Sequence, residues 1–203
     1  MLIMISWQHP GRPVILASQS PRRKAIMAQM GFAFEVIVPP AIDEASLLDA
    51  RNLSASLQNL AKIKAAGVAE QRPGALVLGA DTVVVQGKKI LGKPAGPDEA
   101  RSMLAALAGS RHRVYTGVAL VCKDCAFCTT GIACTDVFFR TVSVDEIEAY
   151  LAHDEYRDKA GAYAIQGHAM QFIEKINGCY YNVVGLPVSE TIRMFAAFIH
   201  VQG

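Results

Sequence analysis

One acidic residue constrains the fold of this chain more than any other feature, because it lies inside an apolar segment. Apart from Asp81 and Thr82, residues 75–85 are all apolar or glycine, a pattern typical of a buried β-strand. An unpaired carboxylate in such a strand is strongly unfavourable. We therefore expect Asp81 to face a cleft, a cation or a metal-bound water, unless the strand ends in solvent at this point. Lys93, beyond a predicted hairpin turn, is a candidate for an ammonium beside it.

A second group of polar residues follows the first predicted strand, residues 14–17. Ser20 is a good N-cap for the next helix, and Arg22 and Arg23 fall in its first turn, where positive charges oppose the helix dipole and so need another reason to be present. Helix N–H groups, guanidinium groups and the Ser18 hydroxyl can all bind phosphate. We expect an anion site here; the alternative is an ordinary capped helix with a solvated basic turn.

A third segment, residues 158–167, combines charged residues, glycines and the amide of Gln166. Glycines let a backbone approach a ligand closely, and a glutamine side chain both donates to and accepts from a nucleobase edge. The alternative is a loop followed by an edge strand, with Gln166 in solvent.

Strand and helix patterns alternate along all 203 residues, which indicates an α/β fold with a mixed sheet. With 20 basic and 18 acidic residues, the formal net charge of +2 gives no field that would attract a nucleic-acid polymer. The chain has no apolar run of about 20 residues that could span a membrane, and residues 1–6 lack the basic leader of a signal peptide. We expect a cytoplasmic protein.

Five cysteines, four of them between residues 122 and 134, do not form the even framework of a disulfide-rich secreted domain. Cys122, Cys125, Cys128 and Cys134 could be ligands of zinc or an iron–sulfur cluster, but the spacing lacks a second complete, separate C-x-x-C pair. Ordinary thiols in a variable connection are the favoured interpretation.

Several motifs together resemble the Maf family of nucleotide pyrophosphatases and occur in that family's order. The most specific are L-A-S-Q-S-P-R-R at residues 16–23 and G-A-D-T-V-V at residues 79–84. The other matching motifs are residues 60–65, 92–94, 158–167 and 182–187. The resemblance implies a Maf/ITPase-like mixed β-sheet flanked by helices, with two lobes around a nucleotide-binding cleft. Residues 1–203 would form a single Maf-like domain, residues 1–12 being a variable extension, and a homodimer is an open expectation.

The resemblance also implies a reaction, the hydrolysis of the α–β phosphoanhydride of nucleoside triphosphates to the monophosphate and pyrophosphate. Asp81 would be the general base, and a divalent cation, Mg²⁺ or Mn²⁺, would be held by Glu44 and Asp81. The expected substrate-binding residues are Ser18, Ser20, Arg22, Arg23, Lys64, Thr82, Lys93 and Gln166.

Within the family, Arg22, Thr82 and Gln166 match the set associated with dTTP and UTP. Ile63 and His168 depart from the usual pattern, which affects the expected details of metal binding and of the base pocket. Two alternatives stay open: a non-catalytic nucleotide-binding regulator of septum formation and cell division, and a pyrophosphatase for another modified nucleotide.

Overall fold

The computed structural model describes residues 10–202, which form two compact units. The first unit contains residues up to 81 together with 116–133 and 185 onward, and the second contains residues 82–115 and 134–184. The expectation of two lobes in an α/β chain is therefore confirmed. Within residues 10–202, no helix has both the length and the apolar character needed to cross a membrane.

Seven strands form a mixed sheet, as the alternating sequence pattern predicted. They are β1 (Val14–Ala17), β2 (Phe34–Ile37), β3 (Leu76–Gln86), β4 (Lys89–Leu91), β5 (Arg111–Cys122), β6 (Phe127–Phe139) and β7 (Ile173–Asn177). The hydrogen-bonded order is β2-β1-β3-β5-β6-β7, and β4 pairs with β3. Strand β1 runs parallel to β2 and β3, whereas β4 is antiparallel to β3 and β7 is antiparallel to β6.

Seven α-helices accompany these strands in the described residues. They are α1 (Pro21–Gln29), α2 (Glu44–Leu47), α3 (Leu53–Ala69), α4 (Pro97–Leu107), α5 (Val144–Leu151), α6 (Tyr180–Val184) and α7 (Val188–Gln202). The sequence pattern predicts helices over residues 22–30, 52–70, 97–108, 144–152 and 186–201, which agree with α1, α3, α4, α5 and α7 to within two residues at each end. It does not predict the short α2 and α6. The sequence predicts a β-rich run over residues 133–140, whereas β6 begins six residues earlier, because its first residues alternate between half-buried and exposed positions and include polar side chains.

Local residue preferences explain the limits of α1. The Ser20 hydroxyl accepts a hydrogen bond from the Arg23 N–H at 3.4 Å. Pro21 occupies the first turn, where the N–H group that proline lacks would have no partner within the helix. Gly31 follows the helix with a φ of 80°, a conformation that favours glycine. These three residues fix where the chain turns from β1 into the helix and where it leaves the helix.

In the first unit, α3 packs unusually close to two strands because two glycines have no side chain. A Cβ atom at Gly79 of β3 would lie under 3.0 Å from the carbonyl oxygen of Ala61, and one at Gly117 of β5 equally close to that of Leu57. Real Cβ atoms essentially never make such contacts. Small buried residues, such as Ala65, complete the same interface. The backbone of α3 therefore rests directly on β3 just before Asp81.

The core of the second unit contains several aromatic rings. His112 is buried there, its Nε2 lies 2.8 Å from the Tyr163 hydroxyl, and both rings pack edge-on against Phe139. Burial lowers the pKa of His112 to about 4. This histidine is therefore a neutral packing residue.

Candidate active site

Asp81 is buried in the middle of β3, with 6% of its surface exposed. Its Oδ1 accepts a hydrogen bond from the Lys64 ammonium at 2.5 Å, and Lys64 is itself 9% exposed. The strand continues to Gln86, so the alternative that it ends in solvent at Asp81 is wrong. The carboxylate is compensated by a cation, which is one of the environments that the sequence predicts. That cation is Lys64, although the sequence suggested Lys93 for this place.

Glu44 brings a second carboxylate to the same ammonium. Its Oε1 lies 2.6 Å from Lys64 Nζ, and its side chain is 46% exposed. Glu44 is held in the first turn of α2, whose N-cap is Asp43, where the Asp43 carboxylate accepts from the Ser46 N–H at 3.3 Å. One buried ammonium therefore bridges two carboxylates, one from a strand and one from a short helix.

The turn that begins α1 brings further polar residues to this cluster, Arg23 foremost among them. The Arg23 guanidinium donates from Nε to the Gly185 carbonyl at 2.8 Å and from a terminal nitrogen to the Ser18 hydroxyl at 3.2 Å. The same hydroxyl accepts from the Ser20 N–H at 3.1 Å. Arg22 is half-buried in the same turn. Ser20 serves as the helix cap, so its hydroxyl is already used within the protein.

Burial and several neighbouring charges act on the pKa of Arg23. Burial is the main reason that the pKa of Arg23 lies below its ordinary value, and the neighbouring positive charge of Arg22 lowers it further. The carboxylates of Asp81 and Glu44 act in the opposite direction. A guanidinium remains charged under these conditions because its ordinary pKa is far above neutrality. The first unit thus gathers two carboxylates and three cations, a group able to bind a ligand that carries both phosphates and a metal.

The donor set fits a divalent cation that is shared with a ligand. Mg²⁺ is commonly bound by one or two carboxylates together with substrate phosphates and water. Glu44 and Asp81 supply two such carboxylates, directed at one point. Among residues 10–202, no group of three or more histidine, cysteine or acidic side chains could hold a metal ion by itself.

The remaining predicted substrate contacts belong to the second unit. Thr82 is half-buried, and Lys93 and Gln166 are exposed. The Gly161 N–H donates to the Gly92 carbonyl at 3.0 Å, which ties the residue before Lys93 to the loop that leads to Gln166. These two segments, far apart in sequence, are therefore neighbours within the second unit.

Glu155 is a residue that the sequence analysis did not single out. Its carboxylate lies where a side chain at Gly167 would have to be, so that position tolerates only glycine without rearrangement. One of its oxygens, Oε2, is buried and makes no hydrogen bond to the described residues. In the sequence, the glycine directly after Gln166 is the sign of a close approach at this point, but a glycine does not show which residue approaches it.

In this mixed α/β protein, the paired carboxylates and the basic start of α1 form a group that is able to bind a phosphate-bearing ligand. The family model described as Maf-like protein matches residues 13–198, and the chain belongs to this family. A relative from Desulforamulus reducens named dTTP/UTP pyrophosphatase is 44% identical over 191 residues, covering 93% of this chain and 99% of the relative. A relative of the same name from Bacillus cereus is 44% identical over 187 residues, covering 92% and 96% of the two chains.

A solved structure, a HAM1 protein from Coxiella burnetii, shows a weaker likeness. It is 18% identical, covers 63% of this chain and 73% of that chain, and has a TM-score of 0.44. The fold described above rests on the strand order and pairing of this chain itself.

Proposed function

We propose that this protein hydrolyses the α–β phosphoanhydride of dTTP and UTP to the monophosphate and pyrophosphate. The observation that carries the proposal is the buried Asp81 carboxylate, held at 2.5 Å from the Lys64 ammonium beside the basic start of α1. Membership of the Maf family and the shared name of the relatives, dTTP/UTP pyrophosphatase, support the same reaction and substrates.

Asp81 acts as the general base in this proposal. A carboxylate accepts the proton of the attacking water, and a positioned general base typically contributes about 10²–10⁴-fold to the rate. The Lys64 ammonium holds Asp81 in one orientation before the substrate binds. The buried position keeps bulk water from competing for the carboxylate, which strengthens its interactions with nearby charges.

The cations of the first unit bind the triphosphate. Arg22 and Arg23 present guanidinium groups, which pair with phosphate oxygens through two directed hydrogen bonds. Ser18 and the N–H groups at the start of α1 add further donors. Because negative charge grows on the leaving pyrophosphate, donors fixed in advance stabilise the transition state more than the ground state.

A divalent cation, Mg²⁺ or Mn²⁺, is the proposed cofactor, and Glu44 and Asp81 are its proposed ligands. When bound, such an ion neutralises phosphate charge and orients the phosphates for attack by water. The two carboxylates would hold and place it, and Arg23 balances part of their charge.

Base choice is assigned to Arg22, Thr82 and Gln166, and Lys93 is a further proposed phosphate contact. The amide of Gln166 both donates and accepts, which suits the alternating acceptors and single donor of thymine and uracil. Cytosine reverses part of that pattern, and a site built for one hydrogen-bonding pattern strongly rejects the reverse.

A cytoplasmic location is part of the proposal. All five cysteines are free thiols in the structure, as in a reducing compartment. The homodimer suggested by the resemblance stays a prediction, which light scattering on the purified protein tests.

The experiment is a panel of dTTP, UTP, CTP, GTP, ATP and methylated triphosphates, incubated with the protein and Mg²⁺ or Mn²⁺. Products are separated by anion exchange. We expect turnover of dTTP and UTP, and a fall of at least about 100-fold in kcat for Asp81→Asn. Asp145→Asn is the matched control, because Asp145 is an exposed carboxylate on α5. Nucleotide binding without any turnover would contradict the proposal and favour the non-catalytic regulator.

A further inference from the structure

The Lys64 ammonium lies between the two carboxylates that a divalent cation would use. It is 2.6 Å from Glu44 Oε1 and 2.5 Å from Asp81 Oδ1, and it is almost completely buried. A metal ion bound by the same two oxygens would meet this ammonium at close range. In this structure, therefore, the acidic pair already has a cation.

The local charge count disfavours the entry of a metal ion alone. Asp81 and Glu44 contribute two negative charges, whereas Lys64, Arg22 and Arg23 contribute three positive ones. Burial lowers the pKa of Arg23, whereas Asp81 and Glu44 act to raise it and Arg22 acts to lower it, so these charges lie near one another. A free divalent cation thus approaches a group with a net positive charge. A triphosphate that carries its metal is negative overall, and the same group attracts it.

The lysine is also able to leave. Its ammonium is a compact charge at the end of a flexible four-carbon stem, and Glu44, one of its two partners, is 46% exposed. Triphosphate oxygens offer the ammonium a new anionic partner, so that its release leaves no buried charge unpaired. Both carboxylates would then be available to the metal that arrives with the nucleotide.

We infer that this site takes its divalent cation together with the triphosphate and not before it. Lys64 holds the place of the metal in the nucleotide-free protein and transfers to the phosphates when the metal–nucleotide complex binds. The inference rests on the proposed function, since it identifies the form of the substrate that the same site accepts.

The test is a titration of nucleotide-free protein with Mn²⁺, followed by electron paramagnetic resonance of the free ion. We expect weak binding by the unaltered protein and binding about tenfold tighter or more by Lys64→Met, because the two carboxylates then lack a cation. Lys62→Met is the matched control, since Lys62 is exposed on the same helix, and we expect it to leave Mn²⁺ binding unchanged. An affinity of Lys64→Met within twofold of the unaltered protein would overturn the inference.

Two further variants show where the gain in Mn²⁺ affinity arises. Lys64→Arg retains a positive charge and should bind Mn²⁺ as weakly as the unaltered protein. Adding Glu44→Gln to Lys64→Met should abolish the gain, and a gain that persists would show that the metal binds elsewhere and overturn the inference. Circular dichroism establishes that each variant is folded.

A measurement on the unaltered protein covers the case in which Lys64→Met does not fold. The ¹⁵N resonance of the Lys64 ammonium, assigned through Lys64→Arg, should be unaffected by Mg²⁺ alone and shift when Mg²⁺ and a non-hydrolysable dUTP analogue are added together. A shift with Mg²⁺ alone would overturn the inference. None of these readouts depends on turnover, so a failure of the proposed reaction would be seen separately in the triphosphate panel.

Discussion

The close packing of α3 on β3 is what brings Lys64 to Asp81, and replacement of Gly79 by alanine tests it. The new Cβ would lie under 3.0 Å from the Ala61 carbonyl oxygen, 3.0 Å from the Ala65 nitrogen and 3.1 Å from the Ala65 Cβ. Two of these three atoms belong to the helix backbone, which cannot rotate away as a flexible side chain can. The helix and the strand must therefore separate.

The distance by which α3 must move follows from the contact distances at the new Cβ atom. Ordinary contact between such atoms begins near 3.5 Å, so α3 must withdraw by about 1 Å. That shift would either lengthen the Lys64–Asp81 contact from 2.5 Å to beyond the range of about 3.2 Å for a good hydrogen bond or force the Lys64 stem to extend in order to keep it. Overpacking of this kind costs about 1–3 kcal/mol of stability, and a displacement of about 1 Å at a reacting group lowers activity by up to about 100-fold.

The assay combines urea unfolding with the rate of dTTP hydrolysis. Gly74→Ala is the matched control in the same unit, because the nearest atom to its new Cβ, a carboxylate oxygen of Asp124, lies at 3.4 Å, an ordinary contact. We expect Gly79→Ala to lose both stability and activity relative to Gly74→Ala. Equal stability and activity in the two variants would refute the claim that this packing sets the geometry of the site.

Two other positions give independent predictions. Because burial holds the pKa of His112 at about 4, below its ordinary 6.5, the unfolded chain takes up a proton before the folded one as the pH falls through this interval. Stability should drop by about 2 kcal/mol between pH 7 and pH 5 from this group, and His112→Gln should remove that part of the slope; identical slopes in urea unfolding would contradict it. Gly167→Ala should displace the Glu155 carboxylate at little cost in stability, because that carboxylate ends a flexible side chain. The moved carboxylate should disturb the neighbouring Gln166 and raise KM for dTTP by up to about tenfold, and Glu155→Ser should reverse this rise. An unchanged KM in Gly167→Ala would show that this loop does not affect nucleotide binding.

The features that the sequence predicted best are those that depend on interactions between residues close together in the chain. Ser20, Pro21 and Gly31 each act on the backbone next to them, so the limits of α1 could be predicted without tertiary information. The need of Asp81 for compensation could also be predicted, because an acidic residue in an apolar strand is unfavourable in any fold.

The identity of the cation beside Asp81 could not be predicted. Lys64 lies 17 residues earlier in the chain, and its position depends on the approach of α3 to β3, which two glycines in different strands permit. Lys93 follows the predicted hairpin turn after Asp81, and for that reason the sequence suggests Lys93 for this place. Similarly, α2, which places Glu44, has only four residues and is too short for a helical pattern to reveal it.

Identification of the products of dTTP hydrolysis tests the central claim most directly. The reaction with Mg²⁺ is followed by ³¹P nuclear magnetic resonance, with Asp81→Asn in parallel. The account predicts dTMP and pyrophosphate as the first products, formed by the unaltered protein and lost in Asp81→Asn. The formation of dTDP and inorganic phosphate, or the same products at an undiminished rate from Asp81→Asn, would contradict it.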